Sequence, residues 1–250
     1  MLTFLRKVRK SVIGSGSAKK YVFYAIGEIA LVVIGILIAL QINNWNEARK
    51  AQIREQHALE ELLSDLDVSI ASLNYILYED ENNIEDAIYS LNRVILFLEK
   101  DLPYVDSLGD DLRNIHQYPD FDFKSSGYES LLSMGMDIVS NNKLRSDIGR
   151  FYSFIVPKLD KAYTEIRDDF YNYILYFLRE KFDVDLDGNR MGRVRPVDFE
   201  TLKEDHNFLI SLKVYLSVFD YYQGKVLETL EEAKALKKQI GTYIQNGKDL

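Results

Sequence analysis

The sequence predicts an all-α protein: an N-terminal transmembrane helix that continues into a long helix and packs in an antiparallel helical bundle. Three observations predict it. An almost uncharged apolar run begins at Tyr21, apolar residues downstream recur in alternating steps of four and three, and no convincing period-two stretch interrupts them.

Residues 1–20 carry Arg6, Lys7, Arg9, Lys10, Lys19 and Lys20 and no acid. Leu2, Leu5, Val8 and Val12 fall at helical spacing between these charges, a pattern that can lie on an anionic leaflet; the alternative is a basic tail that only sets topology. The GSGS at 14–17 is a short flexible joint and not a phosphate loop, because the GK[ST] ending is missing.

The run "YAIGEIALVVIGILIALQINNWNE" holds one charge, Glu28, in its first 20 residues. Twenty residues at about 1.5 Å each span about 30 Å, the thickness of a bilayer's hydrocarbon core. Tyr21 and Tyr24 mark one boundary and Trp45 the other, as interfacial aromatics do. The positive charges ahead of the run place the N-terminus in the cytoplasm. A signal peptide would have a shorter core and small residues at a cleavage site, whereas this run exits into Gln41, Asn43 and Asn44. The expectation is a bacterial inner-membrane protein. It has a basic cytoplasmic segment at 1–20, a membrane span at 21–42 and a periplasmic helical domain at 43–250, with no cytoplasmic signalling domain.

Steps of 7 and 11 residues return to within about 20° on a helical wheel, so Glu28, Gly35 and Ala39 share a face. Gly35 and Ala39 form a small-xxx-small pair that lets two helices approach closely. Glu28 then has three readings: it reaches the cytoplasmic interface and Lys19 or Lys20, it hydrogen-bonds within a homo-oligomer or to another membrane protein, or it handles protons.

Beyond the span, Leu59, Leu63, Leu66, Ile70, Leu73, Leu77, Ile84, Ala87, Leu91, Val94 and Leu98 keep the heptad rhythm, broken only at Asp80. This predicts one helix over about 43–101, ended by Pro103, with a hairpin break at "YEDENN" as the alternative. Residues 102–125 read as loop, followed by a short helix capped by Ser125 or Ser126. A second long helix follows at about 143–181, kinked or begun at Pro157, then a loop at 182–200, then a third long helix at about 201–245. The 17 tyrosines are expected at helix seams with their hydroxyls wet, or, as the alternative, lining a ligand groove.

The hallmark run, with its basic N-terminus, resembles that of a family of single-pass membrane proteins abundant in Bacteroidetes and catalogued as a domain of unknown function. "SGYESLLSMGMDIVSNNKLRSDIGRFYS" is similar to a second segment of the same family. The resemblance implies a helical, membrane-anchored architecture and no particular activity.

The chemistry-bearing motifs are few. "DVDLDG" places Asp183, Asp185 and Asp187 at positions 1, 3 and 5 of a calcium loop with Gly188 at position 6, but position 12 is Val194 and Pro196 follows. The readings are an acidic turn or a weak calcium site; no other cofactor is expected. There is no cysteine, and His57, His116 and His206 lack metal-ligand spacing. Both His116 and His206 read as surface histidines, and acids such as Glu60, Glu61, Asp168 and Asp169 read as solvated helix faces. The last 200 residues hold 23 basic and 37 acidic side chains, which disfavours nucleic acid as a partner. The expectation is a non-enzymatic scaffold or interaction protein. The alternatives are an accessory subunit of a membrane transport or motor complex using Glu28, and a calcium-responsive sensing or adhesion domain.

Overall fold

The structure, a computed structural model, describes residues 18–80, 83–116, 118–188 and 190–248. The amphipathic segment with Leu2, Leu5, Val8 and Val12 and the GSGS joint lie outside the described residues. The chain divides into two compact units, Met1–Arg54 and Glu55–Leu250.

Helix α1 runs over Ala18–Asn74. In the first unit it is long and apolar enough to cross a membrane, and its large apolar side chains from Val22 to Ile42 are exposed. In the second unit the same helix buries Ala58, Leu59, Leu62, Leu66 and Leu73. Leu63 and Ile70, expected in this seam, are half-buried at its edge.

The single helix expected to residue 101 is two helices. A π turn at Tyr75–Glu79 ends α1, and α2 begins at Ile84 and runs to Glu99. The interruption has a local cause. Asn83 Oδ1 accepts the Asp86 N–H at 2.9 Å, the competing hydrogen bond that makes asparagine a helix starter rather than a helix interior. The chain does not turn back here. Asp67 on α1 pairs with Lys237, and Glu99 on α2 pairs with Lys213. Both lysines belong to the last helix, α9 (His206–Lys248). The pairing order runs in opposite senses along the two strands of chain, so α1 and α2 both lie antiparallel to α9.

The expected loop at 102–125 contains a helix, α3 (Leu108–Ile115), whose Leu108, Leu112 and Ile115 are buried. Gly109 hid it. A Cβ there would lie 3.0 Å from the Val194 carbonyl oxygen and 2.9 Å from Arg193 Cγ, so this glycine serves close packing rather than a turn.

Next come α4 (Ser126–Met134) and α5 (Asn142–Arg150), then α6 (Val156–Asp169) and α7 (Leu175–Lys181). The last three form the expected helix at 143–181, joined by π turns at Phe151–Ile155 and Phe170–Ile174. Pro157 follows the π turn directly, and this wider turn accommodates a residue that cannot donate to the helical ladder.

The loop expected at 182–200 is a β-hairpin of β1 (Phe182–Asp187) and β2 (Arg190–Pro196), with a bulge between Val184 and Leu186 and Gly188 at φ +60° in the turn. A short helix α8 (Phe199–Glu204), capped by Asp198, precedes α9. One core cluster joins the end of α1 and α2, α3, α6, α7, the hairpin and α9. A second joins α1, α4, α5 and the C-terminal part of α9.

Candidate functional site: a contact face on the apolar helix

Regular helix geometry places Glu28, Gly35 and Ala39 on one face of α1, Gly35 about 10 Å and Ala39 about 16 Å along the axis from Glu28. All three are exposed. A Cβ built on Gly35 meets nothing within 4 Å, so the notch it leaves is open. Among the described residues, no side chain hydrogen-bonds or pairs with Glu28. The face therefore combines an open small-residue notch with one carboxyl group that has no side-chain partner among the described residues.

In the second unit the polar groups of α1 are used internally. The Asp65 carboxylate accepts the Gly127 N–H at 2.6 Å and the Ser126 Oγ–H at 2.9 Å, capping α4 from a neighbouring helix. Ser125 and Ser126, expected to cap α4 themselves, do not. Ser125 bonds Glu129 instead, and Ser126 donates to Asp65. One turn on, Ser69 Oγ accepts the Lys124 N–H and Ser72 Oγ the Asp122 N–H, each at 3.0 Å. Side chains at 65, 69 and 72 thus take the backbone donors of an antiparallel strap at 122–127. At the other end Glu55, 7 % exposed, accepts from the Ser140 N–H at 2.9 Å and the Tyr243 hydroxyl at 2.8 Å. Gly127 lets the strap approach: a Cβ there would lie 2.9 Å from Leu62 Cα. The heptad reading skipped Glu55, Asp65 and Ser69 because they are polar. Their only sequence signal is a polar residue recurring at steps of three and four on the buried side.

Three corrections concern titratable groups. His116 is 1 % exposed rather than on the surface. Its Nδ1 faces the Leu112 carbonyl, its ring packs edge-on against Phe182, and burial pushes its pKa down to about 4. Nε2 has no hydrogen-bond partner. Asp111 on α3 pairs with Arg93, and burial still raises its carboxyl above the usual range. Asp169, expected on a solvated face, has one buried carboxylate oxygen without a partner, and burial raises its pKa. Nor are all tyrosine hydroxyls wet: those of Tyr104, Tyr152 and Tyr222 are buried and unpaired.

Asp183, Asp185 and Asp187 do not form a loop. They occupy alternate positions of β1, and Asp183 and Asp187 face Arg195 and Arg190 in the β2 register. Asp185 forms an ion pair with Arg195 at 2.9 Å. Among the described residues no three acidic or histidine side chains converge where a metal ion could sit.

No curated protein and no solved structure matches the chain. A family model, described as a family of unknown function, matches residues 28–189. That span begins at Glu28, includes the contact face, the Asp65–Gly127 junction and the segment at 126–153, and stops before α9. Matching more than half of its length, the chain belongs to the DUF6090 family.

Proposed function

We propose that the protein is a non-enzymatic, single-pass scaffold or interaction protein of a bacterial inner membrane. The observation that carries this reading is the open Glu28–Gly35–Ala39 face on an apolar helix whose large apolar side chains from Val22 to Ile42 are exposed. A helix with a small-residue notch and a buried-depth carboxyl gains van der Waals contact and a hydrogen bond by pairing with a second helix in lipid. The basic residues before the span favour an N-terminus in the cytoplasm and residues 43–250 outside it. The internal use of Glu55, Asp65 and Ser69 supports a structural rather than a catalytic role for those polar groups.

The test is the mass and composition of the complex extracted gently from native membranes. A homo-oligomer dispersed by Gly35→Leu but kept by Glu28→Gln is the expected outcome. A monomer under these conditions would overturn the reading.

The unpartnered carboxyl of Glu28 favours one second reading, an accessory subunit of a transport or motor complex with Glu28 handling protons. It requires a stoichiometric foreign membrane protein in the extract and loss of ion-coupled activity in Glu28→Gln with assembly intact.

A further inference from the structure

An open groove of about 350 Å³ runs between the π turn at Phe170–Ile174, α7 and the start of α9. Its volume lies in the range of small-ligand clefts, roughly 300–1,000 Å³. Tyr173, Tyr176 and Phe177 line one side, and Asn172, Asn207 and Ser211 add polar groups. His206 completes the polar lining, and no Asp, Glu, Lys or Arg contributes to it.

The rings are held as platforms. Phe177 is 6 % exposed and locked edge-on against Phe208 with centroids 5.1 Å apart. Tyr176 lies edge-on to Phe177 at 5.4 Å, and its hydroxyl is tied to Glu180, a bond that raises its pKa. Tyr173 and Tyr176 nevertheless expose 57 % and 53 % of their surface, so their faces are free. The side-chain amides of Asn172 and Asn207 have no hydrogen-bond partner among the described residues. The π turn contains Asn172 and Tyr173, and such turns are frequent at functional sites.

The chemistry selects a ligand. An aromatic face carries negative charge density and attracts the polarised C–H bonds of a sugar ring. Carboxamides and hydroxyls offer donors and acceptors that match vicinal hydroxyls. No carboxylate, ammonium or guanidinium lines the groove to pair with a charged ligand, and the groove is too open to enclose an acyl chain. We propose that this groove binds a neutral saccharide chain. Tyr173 and Tyr176 stack on the ring faces, Asn172, Asn207 and Ser211 bond the hydroxyls, and Ile210 forms the apolar floor. The inference does not depend on the anchor's contact face.

The test uses the full chain in lipid nanodiscs, which avoid sugar-headed detergents. Cellohexaose, maltohexaose and xylohexaose are titrated by calorimetry. At least one is expected to bind with a dissociation constant of about 0.1–1 mM, as befits a shallow site. Tyr173→Ala combined with Tyr176→Ala should weaken it at least tenfold without changing the melting temperature, since both rings are largely exposed. Tyr173→Phe should keep it, and Asn207→Ala should weaken it about threefold to tenfold. Absence of binding by all three sugars, binding unchanged in the double variant, or tighter binding of an oligogalacturonate than of every neutral sugar would overturn the proposal.

Discussion

Helix α1 contains two regions that treat polar residues and glycines in opposite ways. Over 22–42 its large apolar side chains are exposed, its single acid has no partner among the described residues, and Gly35 opens onto empty space. Over 55–73 Glu55, Asp65 and Ser69 are buried because each accepts a backbone N–H, while Gly127 of the facing strap is closed against the Leu62 backbone. The difference teaches that polarity alone does not place a helical side chain. A polar group goes inside when a donor is waiting there, and a glycine is tolerated for what approaches it rather than for its own flexibility.

The sharpest way to break the comparison is to add a branched side chain to each glycine. Gly127→Val drives carbon into the Leu62 backbone, which cannot yield as a side-chain end can, and should cost about 4 kcal/mol in urea unfolding. Gly35→Val should leave the same unfolding curve unchanged, its effect confined to assembly.

The next effect is a pH dependence in the second unit. Folded, His116 stays neutral until about pH 4, whereas in the unfolded chain it takes up a proton below 6.5. The unfolded state therefore binds more protons in that window, so the His116 contribution is fully present above 6.5 and is lost as pH falls toward 4. The loss should approach about 3 kcal/mol, read as the difference between wild type and His116→Leu in unfolding series at several pH values.

Asp65→Ala removes the α4 cap and leaves the Gly127 donor buried, and should cost about 2 kcal/mol in urea unfolding; Asp65→Asn should recover part of it. The smallest effect is at the hairpin. Arg195→Ala breaks an exposed ion pair and should change stability by less than about 0.5 kcal/mol. Millimolar calcium should leave the melting temperature unchanged. A rise abolished by Asp185→Ala would restore the calcium reading.

The helical architecture was legible because periodicity and hydropathy report burial directly. The apolar helix over 21–42, the heptad through Leu98 and the helices at 143–181 and 201–245 all rest on such runs. What was not legible depends on partners distant in sequence. Asp65 and Gly127 are 62 residues apart, and neither announces the other. The hairpin was missed although "FDVDLD" alternates apolar and acidic residues: its acids at 183, 185 and 187 fit a calcium loop equally well, and the burial of Phe182 and Val194 depends on helices distant in sequence. Helix α3 was hidden by Gly109, and the break at 80–83 by a heptad phase that continues across it. Of the candidate site, the shared face of Glu28, Gly35 and Ala39 follows from helix geometry alone, whereas the groove at Tyr173 joins segments that no spacing connects.

The π turns carry a consequence for how this chain can change length. A π turn accommodates one more residue than an α turn over the same rise, so it behaves as a stored insertion. Deleting Ser153 from the turn at Phe151–Ile155 should convert it to ordinary α-helix and leave Ile148 and Leu159 facing the core as before. Deleting Glu165 from the middle of α6 instead rotates everything up to the hairpin by about 100°, turning Ile174 and Phe177 toward water. Single-residue indels among relatives should therefore collect at 75–79, 151–155 and 170–174 and be excluded from the helices between them.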